Sequence, residues 1–306
     1  MYYRTLLKFV FAIALMAASS ARATVQVFAC EPEWAALATE DRRRQGGGHG
    51  GHQRPAGPAL YPGPAQPDRR YSGSRPGDLF RRRLEAGWLP VLLGKGNNPK
   101  VQPPAGYLLA SDYVNRLEIP AQLDRAQGDI HAEGNPHIQT DPRNIALVAN
   151  VIAERLQQVD PGNAQNYQQG LAAFQDKWGR AIAAWERQAA PLRGKAVVPH
   201  HKSWVYLENW LGLVEVATLE PKPGVPPSAA HLQELLVQLQ ASPAGLIIRA
   251  PYQDPQASEW LTKQTGIPNA VLPFTVGGTP EADNLYSLFD VTLRTLLDNM
   301  VPKNAQ

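Results

Sequence analysis

Tyr167, Leu171, Phe174, Trp178, Ile182 and Trp185 recur every three or four positions. That spacing lays one continuous apolar stripe along an α-helix. The turn signal Asp160-Pro161-Gly162 precedes the stripe and Pro191 ends it, which gives about 27 residues and a rod of about 40 Å at 1.5 Å per residue. A small domain is only about 30 Å across. The helix therefore either lies along one core or stands as a rigid strut between two lobes, and the residues alone leave both arrangements open.

Strands and helices alternate around it. Asp141-Pro142 opens a helix with proline at its first position, where the missing N–H is not needed, and Ile145, Val148, Ile152 and Leu156 continue at helical spacing. Beyond the long helix, Ala196–Val198 reads as a strand, Trp204–Leu211 as a helix and Leu213–Ala217 as a strand. A proline-rich loop from Glu220 to Pro227 leads to Ser228, an N-cap for a helix over His231–Leu239. Gly245–Ile248 and Ala270–Phe274 then read as strands, and Ala257–Thr265 and Leu285–Met300 as helices. Near the start, Val25–Ala29 reads as a short apolar strand with Cys30 as a small core residue, Trp34–Ala38 suits a helix start, and Trp88–Leu93 is another apolar run. Regular alternation of this kind predicts an α/β fold with parallel-type sheets.

At the amino terminus Arg4 and Lys8 precede the apolar run Phe9–Ala18, which is too short to span a bilayer. Ala21-Arg22-Ala23 follows as an A-x-A cleavage signal. Residues 1–23 thus read as a secretory signal peptide, with the mature protein beginning near Thr24 and working in the periplasm or elsewhere outside the cytoplasm. Cys30 offers a rival reading as a lipid-attachment cysteine, but Val27-Phe28-Ala29 before it lacks the usual leucine. With one cysteine the chain forms no internal disulfide, so the fold stands on packing alone.

Residues 41–83 do not match their surroundings. They hold ten arginines, no lysine, and no Val, Ile, Met or Trp, while Gly and Pro dominate. Three aspartates leave the segment at +7 against +3 for the whole chain, so the remainder sums to −4 and the basic pI near 8.9 is a local property. Such a composition cannot write a packed core. An arginine-rich arm for nucleic acid suits an exported protein poorly, and no nucleic acid is expected as a partner. A natural insertion in which His49 and His52 sample metal is a second reading. The favoured one is translation out of frame, since a GC-rich gene misread yields Arg, Gly, Pro and Ala, and periodic sequence resumes abruptly at Leu84–Leu89.

The chain has no phosphate-binding glycine loop, no G-x-S-x-G elbow and no C-x-x-C pair. Histidine remains. Outside the anomalous segment stand His131, His137, His200, His201 and His231. His137 lies in the turn-rich passage 134–142 before a helix, and His201 follows a strand and precedes a helix, the kind of position where open α/β sheets bind ligands. His131 reads as a solvated loop residue and His231 as structural. A zinc ion would need three or four N, O or S ligands, which spacing alone cannot supply.

The passage Asn135-Pro136-His137-Ile138-Gln139-Thr140-Asp141-Pro142 resembles the Asn/Asp-Pro-His…Asp-Pro motif of the zinc and manganese solute-binding proteins of ABC importers. The passage His201–Leu213 resembles that family's third-ligand segment, and the long helix matches its strut in position and length. The resemblance runs over 25–38 and 84–297. It implies two α/β lobes with central sheets, residues 24–160 and 191–306, joined by a rigid helix over 161–190, with one Zn2+ or Mn2+ held in the cleft. His137 and His201 would be ligands, with His200 pointing away. The family's first ligand, a His in Asp-Pro-His, should fall near Ala59 or Leu60, and its late Asp near Thr275 or Val276. Neither is present, so recruitment of Asp283 or Glu220 becomes an alternative and binding in this chain is expected to be impaired. The implied role is capture of a divalent ion by a monomer and its delivery to an integral membrane permease. A metal-independent adhesin or scaffold, and a metal-dependent hydrolase, stand behind it. The chain is not read as an enzyme, because H-E-x-x-H or an equivalent is missing.

Overall fold

A computed structural model describes residues 25, 27–40, 106–122, 124, 126, 128 and 131–301. The leader, the segment 41–83 with His49 and His52, the positions 59–60 and the run Trp88–Leu93 lie outside the described residues. Chain order is α1 (Pro32–Glu40), α2 (Pro142–Val159), α3 (Ala164–Ala189), β1 (Ala196–Pro199), α4 (Val205–Leu211), β2 (Val214–Glu215), α5 (Ala229–Ala241), β3 (Leu246–Arg249), α6 (Gln256–Thr265), β4 (Asn269–Val271) and α7 (Leu285–Met300). Among the described residues no helix is long and apolar enough to cross a membrane.

The long helix is α3, 26 residues. Its stripe is the reason it packs: Trp178 is fully buried, and Trp185 and Tyr167 nearly so. Trp178 meets Trp185 at 5.2 Å between ring centroids, Tyr286 at 4.9 Å and Phe289 at 5.7 Å, while Phe174 stacks on it at 5.3 Å. The indole N–H of Trp178 donates to Pro142 O at 2.8 Å, and that of Trp185 to Asp290 at 2.7 Å. One helix face thus grips both α2, which leads into it, and α7, which ends the described chain.

α2 begins where Asp141 caps it. The carboxylate accepts from Arg143 N at 2.8 Å and pairs with the Arg143 guanidinium at 2.7 Å, satisfying a backbone donor that a bare helix start leaves open. The described strands form a parallel sheet in the order β2-β1-β3-β4, with Val197 opposite Leu246 and Ile247 opposite Asn269. Their sequences, such as Leu246-Ile247-Ile248, are buried without alternation, as expected for strands covered on both faces. From β1 the chain turns to one side for β2 and to the other for β3, so the switch point of the sheet lies between β1 and β3. There ligands bind at carboxyl ends of strands in open α/β folds.

The stretch 25–29 departs from the expectation of a strand. Val27 and Phe28 are exposed, and no strand runs alongside among the described residues. An apolar run whose large side chains stand exposed is not the buried strand that its composition suggested. Cys30 sits half-buried at a bend ahead of α1 and not within a strand core. β4 ends at Val271, short of Phe274, because Phe274 leaves the sheet to pack against His137.

Candidate metal centre

His137 is placed by a tight turn. Asn135 Oδ1 accepts from the His137 backbone N–H at 3.1 Å and lies 2.8 Å from its ring Nδ1. Asn135 Nδ2 donates to Lys202 O at 2.7 Å and to Glu118 at 3.1 Å, which fixes the amide so that Oδ1 faces the ring. An amide oxygen can only accept. The ring proton of neutral His137 therefore resides on Nδ1, and Nε2 keeps its lone pair. The residue is 9% exposed. Burial, with the added repulsion of His201 and His131, lowers its pKa to about 3, so it is a neutral base across the physiological range.

His201 follows β1 at the switch point of the sheet. Its Nδ1 lies 2.6 Å from Glu220 Oε2, which also accepts from Gly224 N at 2.8 Å. Because Oε2 acts as an acceptor here, Nδ1 again carries the proton and Nε2 is left for an ion. A metal-binding imidazole is commonly oriented by such a contact on its other nitrogen. The His137 and His201 rings stand 5.8 Å apart at 81°, and His131 lies 6.5 Å from His137 at 81°. Two imidazoles on one tetrahedral zinc at about 2.0–2.1 Å would bring their centroids to about 5 Å. Among the described residues no three His, Cys, Asp or Glu are yet assembled to hold a metal ion, in keeping with rings that stand slightly too far apart.

The structure brings together both predicted histidines and a third, His131, which is half-buried beside His137. His200 is buried; burial lowers its pKa, and its backbone N–H crosses the switch point to Ile248 O at 2.8 Å. Asp283 is occupied at the start of α7, accepting from Asn284 Nδ2 at 2.7 Å and Ser287 Oγ at 2.9 Å. Glu220 reaches the site through His201. His231 has Nε2 3.1 Å from Thr218 O, a structural tie between α5 and the loop after β2.

Phe274 closes one side, its ring 5.4 Å from His137, 5.5 Å from Trp204 and 5.9 Å from Tyr252. The Tyr206 hydroxyl in α4 donates to Asn135 O at 2.7 Å and accepts from Leu117 N at 3.1 Å. Sequence reading missed Asn135, Tyr206 and Glu118 as the frame of the site. Glu118 carries the signal least visible in sequence, a positive φ of 52° in a residue other than glycine. Its carboxylate pairs with Lys202 at 2.8 Å and accepts from Asn135, contacts that offset an unfavourable backbone. Sequence reading also missed Glu33, whose Oε1 accepts from Thr275 Oγ1 at 2.6 Å and Val276 N at 2.7 Å.

Comparisons with known proteins bear on the family and the fold. The family model described as zinc-uptake complex component A, periplasmic (ZnuA), matches residues 18–299. The high-affinity zinc uptake system protein ZnuA of Brucella abortus strain 2308 is 23% identical over 167 residues, 55% of this chain and 50% of that protein. Its Yersinia pestis counterpart is 25% identical over 142 residues, 46% of this chain and 45% of that one. The chain thus spans about half the length of the curated relatives it matches. A crystal structure of ZnuA superposes with a TM-score of 0.58 at 22% identity, covering 71% of this chain and 76% of that one. A mutant of the laminin-binding adhesin Lmb of Streptococcus agalactiae gives 0.52 at 20% identity, covering 63% and 70%. The fold they share is the two-lobed α/β arrangement of ZnuA-type binding proteins. With a match that runs from residue 18 to residue 299, this chain belongs to the ZnuA family, component A of zinc-uptake complexes.

Proposed function

We propose that the chain captures a divalent metal ion outside the cytoplasm, zinc in the first place and manganese in the second, and hands it to an integral membrane ABC permease. The lobes are residues 24–160 and 191–306, and the segment 161–190 containing α3 is the strut. His137 and His201 are the ligands, both through Nε2. The observation that carries this reading is the pair of imidazoles at 5.8 Å, each with Nδ1 held by an oxygen acceptor and Nε2 left over. A neutral His137 needs no deprotonation before it binds, which removes one pH penalty on capture. A solved ZnuA deletion mutant, TM-score 0.57 at 22% identity, has zinc bound, which supports zinc as the first ion to try. The protein is read as a carrier acting in the periplasm as a monomer.

Two histidines fall short of the three or four ligands a zinc site requires, so weak binding is expected from the chain as it stands. Titration of the mature protein with zinc against a chromophoric chelator tests the proposal. Residual binding that disappears in both His137→Ala and His201→Ala supports it. Binding unchanged in those variants, or no metal-dependent rise in Tm at any zinc concentration, overturns it.

A further inference from the structure

Glu33 in the first turn of α1 is 0% exposed. Oε1 holds Thr275 and Val276, while Oε2 has no hydrogen-bond partner among the described residues. No basic side chain is among the causes acting on its pKa, which burial raises. A buried carboxylate without a balancing cation is costly, and an orphaned buried oxygen commonly marks a place for water or an ion. A glutamine would keep both Oε1 contacts without the charge, so holding the loop does not explain a carboxylate here.

The segment that Glu33 holds begins one residue after Phe274, and Phe274 lies on His137. The carboxylates beside the histidines are already held by other partners. The imidazoles are neutral when they bind, Glu220 is engaged by His201 and Gly224, and Glu118 by Lys202 and Asn135. A carboxylate oxygen would complement the charge of a divalent ion drawn into this buried region and add to its ligand count. Resting on the metal-capture reading above, we propose that Glu33 is the acidic residue of the metal site: Oε1 stays on Thr275 and Val276, and Oε2 serves the ion directly or through a water on the ion. α1 and the loop after β4 would then be joined through the cargo as well as through Oε1.

The test uses the mature full chain, its Glu33→Gln variant and His137→Ala, with zinc alone and with Co2+ as a spectroscopic substitute. Expected for Glu33→Gln are a metal-free Tm equal to or above wild type, a zinc Kd weaker by on the order of tenfold or more, and an altered Co2+ visible spectrum. Unchanged zinc affinity in Glu33→Gln alongside loss in His137→Ala overturns the role of Glu33 and leaves the capture reading standing. A lower Tm with unchanged affinity also overturns it, since that outcome marks a purely structural clasp. Wild type that binds no zinc overturns both. If the glutamine variant does not fold, Glu33→Asp, which keeps the charge on a shorter arm, decides: affinity weakened at an unchanged Tm supports the role, and unchanged affinity overturns it.

Discussion

Asn135 Nδ2 donates to the carbonyl of Lys202 at 2.7 Å while Asn135 Oδ1 faces the ring of His137. One amide therefore orients the first histidine and fastens its loop to the residue after the second. Substitution by alanine removes both functions. Asn135→Ala should weaken zinc binding by about 10–100-fold, the usual effect of deleting a group that orients a metal-binding imidazole. Asn135→Asp retains an acceptor for His137 but loses the donor to Lys202, so it should fall between. Chelator competition on the three proteins checks the order.

Glu220 does for His201 what Asn135 does for His137. Glu220→Ala should also cost about 10–100-fold in zinc affinity. Because Gly224 N loses its acceptor as well, the loop 221–225 should exchange its amide protons faster. Hydrogen exchange on the metal-free protein measures that effect separately from the effect on the ligand. If exchange accelerates with affinity unchanged, His201 is not a ligand through Nε2.

Acid stability should report the burial of His137. Its pKa falls from 6.5 to about 3, so below pH 6.5 the unfolded chain takes up a proton that the native ring refuses. Stability from this group is present above pH 6.5 and is lost as the pH falls toward 3, by about 1.4 kcal/mol per pH unit at most. Metal-free His137→Gln should lose less Tm than wild type between pH 6.5 and pH 4. Equal slopes in the two proteins would mean that His137 is protonated in the native state.

Much of this was legible in the residues because the cues were local. The helix Leu285–Met300 appeared with its predicted bounds, and Asp141-Pro142 and Ser228 capped the helices they were expected to open. His137 and His201 stood out because a histidine at the edge of an element is conspicuous. Tyr206 and Glu33 were not legible, since each acts on a residue remote in sequence: Tyr206 reaches back 71 residues to Asn135 and Glu33 forward 243 to Val276. Asn135 stood within the Asn-Pro-His passage, but its tie to Lys202, 67 residues on, did not show. In sequence Glu33 is merely an acidic residue at a helix start, where such residues are common for reasons of dipole alone. The strand expected over 25–29 did not appear at the described residues there, where Val27 and Phe28 are exposed.

Trp178 tests the packing of α3. It is fully buried, meets four aromatic rings and donates to Pro142 O. Trp178→Ala should cost about 3–5 kcal/mol, as large cavities from a lost aromatic do. Trp178→Phe refills most of the volume yet loses the hydrogen bond to Pro142 O, so about 0.5–1.5 kcal/mol should remain. Chemical denaturation of both variants gives the split between packing and hydrogen bond. A Phe variant as stable as wild type would mean that the tie to Pro142 contributes nothing.

Glu208 in α4 gives the opposite pH signature to His137. It is buried with Oε1 unpartnered among the described residues. Burial, then the nearby Glu215, pushes its carboxyl up to about 8. Below pH 4.5 the folded and unfolded chains both hold the proton. Above that the unfolded chain releases it while the native one retains it, so stability declines as pH rises from 4.5 toward 8, by on the order of 2–4 kcal/mol in total. Glu208→Gln removes this slope, because an amide does not titrate. Its Tm should therefore match wild type near pH 5 and exceed it near pH 8, a comparison that thermal melts in two buffers settle. Should the difference instead grow toward acid pH, Glu208 is ionised in the native state, and Lys202, already paired with Glu118 and Glu215, must be serving three carboxylates at once.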